Sequence, residues 1–467
     1  MSLFNSKELS QALSVKVDQD FSFDEVSIDS RNLKKNSLFF PIKGKNFNGH
    51  DFILNAFKNG AIASIIEEKQ FKKINKSLFS NRILIPVKDS LKALQDFSIY
   101  IRKRPNNLNM ICITGSSGKT SVKEWISTIL SDFFNTHSSL GNFNNHIGVP
   151  LSLARMREET EVCVLELGMS NPGEIEFLTG ISKPDFSILT NVGPAHLGSF
   201  KNIEEIVIEK SSIFKTKKKG ISIIPRDSLF FNLIHKLAKK NSKTVFSFGS
   251  HEDADFRLIK SSKITRNLSA LEFDLLGKQI KVKTQNHSKH HHMNILVILI
   301  IAELLKIDQT AVIQRIYKLK PIIGRGSIHE VHLKGKKLIL LDDSYNSNPI
   351  SLKISLDNLN NIAPKKSRKI CIIGDMLELG KSSLDLHREI VKSIVSNKID
   401  IVFTIGKYTK IINENLPNNL HSKHFDDIQI LYNNLSSILL DNDIILIKGS
   451  NSMNLNQICA KLKKMVL

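Results

Sequence analysis

The chain has 467 residues, 41% of them hydrophobic, and a formal net charge of +21. That length and apolar content provide for roughly three domains with sizeable cores and exclude compositional disorder. The charge invites a nucleic-acid partner, yet the basic residues are scattered and aromatics make up only 7% of the chain. The densest basic cluster, Lys215–Lys219, reads as the solvated last turn of a helix. A bias toward Lys, Asn and Ile can follow from low-GC coding alone, and an anionic substrate fits the charge as well. No specific nucleic-acid partner is expected.

Met1–Leu13 lacks the basic start and long apolar core of a signal peptide. The longest apolar run, Ile295–Ala302, is far too short to span a membrane and meets Glu303 at once, so it reads as a buried helix. Cys112, Cys163 and Cys371 fall inside predicted buried strands and Cys459 in a terminal helical pattern, with neither metal spacing nor a disulfide framework. A reducing cytoplasm without membrane insertion is the expected location.

Three segments follow in chain order. Residues 1–107 hold strand-like runs at Ala63–Glu67 and Arg82–Val87, a helical stretch Ser90–Arg102, and a linker at Pro105-Asn106-Asn107. Residues 108–326 alternate apolar strands with amphipathic helices, the mark of a mostly parallel sheet, with a turn-rich antiparallel excursion at Asp255–Thr284. Residues 327–467 alternate again, with strands at Lys336–Leu341, Lys369–Ile373, Asp400–Ile405 and Asp443–Ile447. No G-x-G-x-x-G fingerprint occurs, which argues against a dinucleotide there. The fold class is α/β.

The strand Met110–Ile113 leads into Thr114–Ser121, TGSSGKTS. A Gly-rich turn followed by Lys-Thr is a phosphate cradle: Gly115 and Gly118 admit anionic oxygens, Lys119 reaches the terminal phosphates, and the Thr120 hydroxyl can ligate Mg²⁺. Ser116, Ser117 and Ser121 complete the loop. The spacing is short, because Ile113 stands where the common nucleotide loop has its first Gly. ATP is the expected nucleotide.

Ligands of open parallel sheets bind outside the carboxyl ends of the strands. The strand Val162–Leu165 ends in Glu166, and Phe186–Leu189 runs into Thr190–His196. Thr120, Glu166 and His196 thus offer hydroxyl, carboxylate and imidazole to one crevice, a set suited to Mg²⁺ and triphosphate. Taken singly, each is as ordinary as any loop residue. Lys210 shares the apolar face of Asn202–Phe214 with Ile203, Ile206, Val207 and Phe214. Such a lysine commonly snorkels to water, and its ammonium would be repelled by a metal.

Strand Lys336–Leu341 ends in DDSYNSNP at 342–349, suited to ribose, base or substrate contacts, or equally to an Asx turn before a helix. Arg325, near the domain boundary, could clamp a phosphate on closure. His290-His291-His292 has poor geometry for zinc and reads as a loop leading into a helix.

Together these strings resemble the Mur ligases of peptidoglycan synthesis. The resemblance covers essentially the whole chain. It rests on Asp29-Ser30-Arg31, Gly44 and NGHD at 48–51, TGSSGKTSVKE at 114–124, GNFNNHIGVPLSL at 141–153 and ELGMSNPGEI at 166–175. It continues with TNVGPAHL at 190–197, EKSSIF at 209–214, Gly324-Arg325, DDSYNSNP, GDMLELG at 374–380 and KGS at 448–450. DDSYNSNP and GDMLELG point to the branch that adds a dipeptide.

The resemblance implies a central P-loop-type ATPase domain, a C-terminal Rossmann-like domain for the dipeptide and a smaller N-terminal domain for the UDP-sugar. It implies carbamylation of Lys210, which turns the awkward cation into an anion. Two Mg²⁺ would follow, one held by Thr120 and Glu166, the other by His196 and carbamylated Lys210. Lys119 and Arg325 would neutralise the γ-phosphate, and Asn294 and Asp343 would contact adenine and ribose, with Tyr345 nearby. Ser30, Arg31 and His50 would lie along the uridine diphosphate, and Asn144 and Asn145 near the phosphate-transfer centre. Three departures stand out: His290-His291 before the Asn294 region, Asn451 where Arg is often found, and the stretch Gly198–Asn202.

The implied reaction joins UDP-N-acetylmuramoyl-tripeptide to D-alanyl-D-alanine through an acyl phosphate, in a monomer. The alternatives are a sister ligase adding one amino acid, a folylpolyglutamate synthase, or, from another class, a basic nucleotide-dependent nucleic-acid-binding protein.

Overall fold

Strands that are apolar at every position need cover on both faces, and such strands here build parallel sheets flanked by helices. The computed structural model describes residues 4–217, 219–265, 268–285, 288–364 and 366–464. Lys218 of the basic cluster lies outside the described residues. Ahead of it, the helix ends at Ser211 and one 3₁₀ turn, Ser212–Phe214, follows.

The first sheet is parallel throughout, in the order Glu25–Ser27, Ser37–Phe39, Ala61–Glu67 and Ile83–Val87. The second has nine strands. Its centre runs Ile221–Pro225, Phe186–Leu189, Asn109–Thr114, Val162–Glu166 and Thr136–Ser138, all parallel. Beyond Thr244–Gly249 the sheet continues as the expected excursion: Phe256–Thr265, Leu268–Leu275 and Lys278–Thr284 are joined antiparallel. The third sheet is ordered Ser327–Leu333, Lys336–Asp342, Ile444–Lys448, Lys369–Gly374, Ile401–Ile405 and His421–Phe425. Only its first strand pairs antiparallel, through a turn at Lys334 and Gly335, both with positive φ.

In the nine-stranded sheet the chain leaves Asn109–Thr114 toward Thr136–Ser138 on one side, then crosses to Phe186–Leu189 on the other. This reversal opens a crevice at the carboxyl end of Asn109–Thr114. Register fixes what faces it: Ile113 pairs with Glu166, and Thr114 with Leu189. Three loops therefore start from one line.

The run Ile295–Ala302 lies in the helix Lys289–Leu304, buried on all sides. It packs against the excursion and against the helix Lys119–Leu130 that follows the phosphate loop. The histidine triplet is a correction: it forms the first turn of this helix, capped by Ser288, rather than a loop ahead of it. All four cysteines are buried and free; Cys112, Cys163 and Cys371 lie in strands, as their apolar runs implied, and Cys459 in the helix Asn456–Lys464.

The domains are joined unequally. One apolar cluster runs continuously from Phe4, Phe23 and Phe97 to Leu151, Ile175 and Phe214, so the first and second sheets share a core. Arg155 Nε donates to the Val26 carbonyl at 2.7 Å across that junction. The two clusters of the third domain contain only its own residues. Polar and apolar contacts seat it on the second domain: Asn348 Nδ2 donates to the Ser116 carbonyl at 3.1 Å and Lys263 Nζ to that of Asn361 at 2.8 Å, while a Cβ on Gly193 would meet the Ile350 side chain at 1.7 Å. Among the described residues no helix is long and apolar enough to cross a membrane.

Leu299 is fully buried in the cluster that holds Trp125, the single tryptophan. Leu299→Ala should cost about 3 kcal/mol. Urea unfolding followed by Trp125 fluorescence reads this as a lower midpoint, and an unchanged midpoint contradicts it.

Candidate active site

Two glycines and the residues that follow the strand Phe186–Leu189 shape the phosphate loop. A side chain at Gly115, whose φ is +151°, would meet the Thr190 hydroxyl at 2.0 Å. One at Gly118, φ +80°, would meet the His290 ring at 2.7 Å. From the neighbouring strand, Thr190 Oγ1 donates to the Ser117 carbonyl at 2.6 Å. Asn191 accepts from Ser117 N–H at 2.9 Å and donates to its hydroxyl at 2.9 Å. Ser116 Oγ is held by the Gly193 backbone, donating to its carbonyl at 3.1 Å. The string TNVGPAHL thus splints the loop, a role the residue pattern did not disclose.

Both lysines of interest converge on one atom. Lys119 Nζ donates to the Gly115 carbonyl at 2.8 Å, and Lys210 Nζ donates to the same oxygen at 3.2 Å. Lys210 is 1% exposed. The snorkelling alternative is therefore overturned: from the inner face of Ile203–Ser211 the stem reaches into the crevice. Burial pushes the Lys210 ammonium well below its usual range, and Lys119 beside it lowers it further. Desolvation likewise depresses Lys119, opposed by Glu166 and reinforced by Arg325.

Glu166, 2% exposed, accepts from the Thr120 hydroxyl at 2.5 Å and from Asn144 Nδ2 at 2.8 Å. Paired hydroxyl and carboxylate oxygens fit one hard cation such as Mg²⁺. Among the described residues no cluster of three or more His, Cys, Asp or Glu side chains gathers to hold a metal. His196 instead faces the third domain, its Nδ1 2.5 Å from Glu378 Oε2.

These groups line a cleft of about 590 Å³ with Ser116, Ser117, Gly118, Ser121, Asn144, Asn145, Arg325, Asp343 and Tyr345. Asn294 stands beside it, its Nδ2 buried without a hydrogen-bond partner. Its Oδ1 is so close to Gly118 that a Cβ on that glycine would lie 3.2 Å away. The orphaned amide fits a nucleotide base as partner. Asn145 has a further task, accepting from the backbone of Ile147 and Gly148 at 3.1 and 2.8 Å to start the helix Gly148–Ala154. Asp343 is gripped by Lys448 Nζ at 2.8 Å, and the Arg325 guanidinium lies 4.0 Å over the Tyr345 ring.

Ser30, Arg31 and His50 do not line this cleft. Arg31 pairs with Asp29 at 2.8 Å, and the Ser30 carbonyl accepts from Asn59 at 2.7 Å. His50 links Asn48 Oδ1 at 2.9 Å to the Glu67 N–H at 3.1 Å. Lys45 is the first-domain residue that reaches the cleft. His290 and Lys448 also line it, although the sequence, where both stood in noted strings, assigned neither a role in the site. For His290 a cue existed, since it precedes Asn294 by one helical turn. Desolvation pushes its ring down to about 4, so it is neutral near pH 7.

A phosphate loop at the switch point of a parallel sheet, with a third domain closing over it, defines a nucleotide-dependent enzyme of the Mur ligase type. Three family descriptions match in succession: Mur ligase family, catalytic domain, over residues 22–101; Mur ligase middle domain over 113–302; and Mur ligase, glutamate ligase domain, over 329–451. The chain belongs to the Mur ligase family. It is similar to the UDP-N-acetylmuramoyl-tripeptide–D-alanyl-D-alanine ligase of Rickettsia prowazekii, with 34% identity over 98% of this chain and 99% of that one. Among solved structures it is similar to MurF from Acinetobacter baumannii (TM-score 0.85, 25% identity, 99% and 100% covered). It is also similar to the MurF ligase of Thermotoga maritima in complex with ADP (TM-score 0.79, 28% identity, 94% and 97% covered).

The depressed Lys119 has a measurable consequence. A polyphosphate favours its charged form, so binding above the free-state pKa takes up a proton, and affinity falls as pH rises through that value. Calorimetry of ATP binding in buffers of different ionisation enthalpy should show proton uptake at alkaline pH in the wild type and less of it in Lys119→Met. Equal uptake in both contradicts this.

Proposed function

We propose that this chain joins the amine of D-alanyl-D-alanine to the terminal carboxylate of UDP-N-acetylmuramoyl-tripeptide, converting ATP to ADP and phosphate, in peptidoglycan precursor synthesis. The observation that carries the reading is the crevice itself: two lysine amines and a Thr-Glu pair surround the phosphate loop beneath a third domain. The choice of the dipeptide rests on the relatives named above and on DDSYNSNP and GDMLELG.

In the first step the tripeptide carboxylate oxygen attacks the γ-phosphorus, the bond to the β-phosphate oxygen breaks, and ADP leaves. The dipeptide amine then attacks the acyl carbon of the acyl phosphate. The tetrahedral intermediate expels phosphate, the amine loses its proton, and the amide remains. Lys119 offers charge to the transferring phosphoryl group, and Arg325, swung off Tyr345, would add a second cation. Asn144 holds Glu166 at the loop. A Mg²⁺ held by Thr120 and Glu166 would supply charge neutralisation at the phosphates. Closure of the third domain excludes water, which protects an acyl phosphate from hydrolysis.

By domain, residues 1–107 would hold the UDP-sugar, 108–326 ATP and 327–467 the dipeptide. Ser30, Arg31 and His50 belong to the first of these roles, Asn294 and Asp343 to adenine and ribose, with Tyr345 close by. A second Mg²⁺ on His196 and carbamylated Lys210 is a separate part of the proposal. Its support is the buried, depressed Lys210, since the neutral amine is the form that combines with CO₂; the relatives and structures named above lend the carbamate no support. A cytoplasmic monomer suits the reading.

ADP release should require both UDP-N-acetylmuramoyl-tripeptide and D-alanyl-D-alanine. Turnover with single amino acids instead would assign the chain to a sister ligase. Lys210→Ala should lose at least about a hundredfold in kcat. If the carbamate exists, added short-chain carboxylates restore part of that activity; wild-type activity of the variant refutes any role for Lys210 in the chemistry.

A further inference from the structure

We propose that Glu378 is a positioning residue that clasps the third domain onto the second through His196. Glu378 lies in GDMLELG, the loop after strand Lys369–Gly374, and its side chain reaches across the domain boundary into the cleft wall. His196 Nδ1 is buried and has no other hydrogen-bonding group to meet among the described residues; the Glu378 carboxylate stands against it as a charge contact, Oε2 at 2.5 Å. A buried ring nitrogen without a partner is costly, so the pair favours the seated domain.

The backbone repeats the grip. Gly198 N–H donates to the Glu378 carbonyl at 3.0 Å. The neighbouring Gly380 approaches so closely that a side chain there would lie 2.8 Å from Gly198 Cα. His196 and Glu378 both have positive φ, 61° and 64°, conformations that non-glycine residues adopt at a cost. Two loops from two domains thus bend into unfavourable backbone to meet at one point. The rest of GDMLELG is braced from behind: Asp375 accepts from the Tyr408 and Thr409 N–H groups at 2.9 and 2.8 Å. Met376 N–H donates to His387 at 2.9 Å and Leu377 N–H to the Ser450 hydroxyl at 2.9 Å. A braced loop transmits position.

The clasp deepens the ligase reading, which supplies only the kinetic readout below. Small-angle scattering of the full-length chain with ADP measures closure without any amine acceptor. Glu378→Ala should lower the closed-to-open ratio roughly fivefold, as should His196→Ala, while the double variant falls no further than the worse single one. Gly380→Ala, which wedges the same contact from the backbone side, should open the domains too. In turnover, Glu378→Ala should raise KM for the dipeptide by more than it lowers kcat.

Closure of Glu378→Ala equal to wild type, or additive losses in the double variant, overturns the clasp. Loss of closure in a chain that never turns over the dipeptide would leave the clasp standing and remove the ligase reading.

Discussion

The Gly115 carbonyl oxygen accepts from both Lys119 and Lys210, and a lysine amine in the interior carries a desolvation penalty that a single neutral acceptor does not offset. The fold brings Lys119 and Lys210 to the carboxyl ends of the central strands, with Glu166 and Glu209 as the anionic neighbours of Lys210. Such a site is complementary to a polyphosphate, and the Thr190–Asn191 splint keeps the loop in shape for one. Register does the rest, since pairing Ile113 with Glu166 sets the carboxylate beside the loop rather than a residue above or below it.

The sheet architecture was legible because its strands are uninterrupted apolar runs: Phe186–Leu189 and Val162–Glu166 stand out from the helices around them. Glu166 and His196 were legible as strand-end residues. Shorter elements were not, since Glu25–Ser27 and Ser37–Phe39 have three residues each and too little length to show a period. Ser327–Leu333 carries His and Glu among its apolar residues, and only its turn at Lys334-Gly335 could have signalled a hairpin. Lys210 illustrates the harder limit. Its apolar stripe is the same whether the ammonium snorkels or turns inward, and the partner that decides the matter lies 95 residues away. Ser30, Arg31 and His50 were legible as a motif, while their local hydrogen bonds and their distance from the cleft wall came from tertiary structure alone.

The same contrast separates the domains. The first is joined to the second through a shared aromatic and aliphatic core. The third keeps its cores to itself and is held by amide and carbonyl contacts, the His196–Glu378 contact and the Ile350 side chain against Gly193. That division suits an enzyme in which one part must release its products while another keeps its grip on a large substrate.

The separateness of the third domain's cores has a thermodynamic signature of its own. The third domain can part from the second without opening either of its own apolar clusters, so that step carries a smaller heat-capacity change than unfolding does. Ionic strength acts on the contacts between charged groups, whose interaction in water is screened within about a Debye length of 8 Å at physiological salt. Separation of the third domain and melting of the cores therefore differ in heat capacity, the second carrying the larger change.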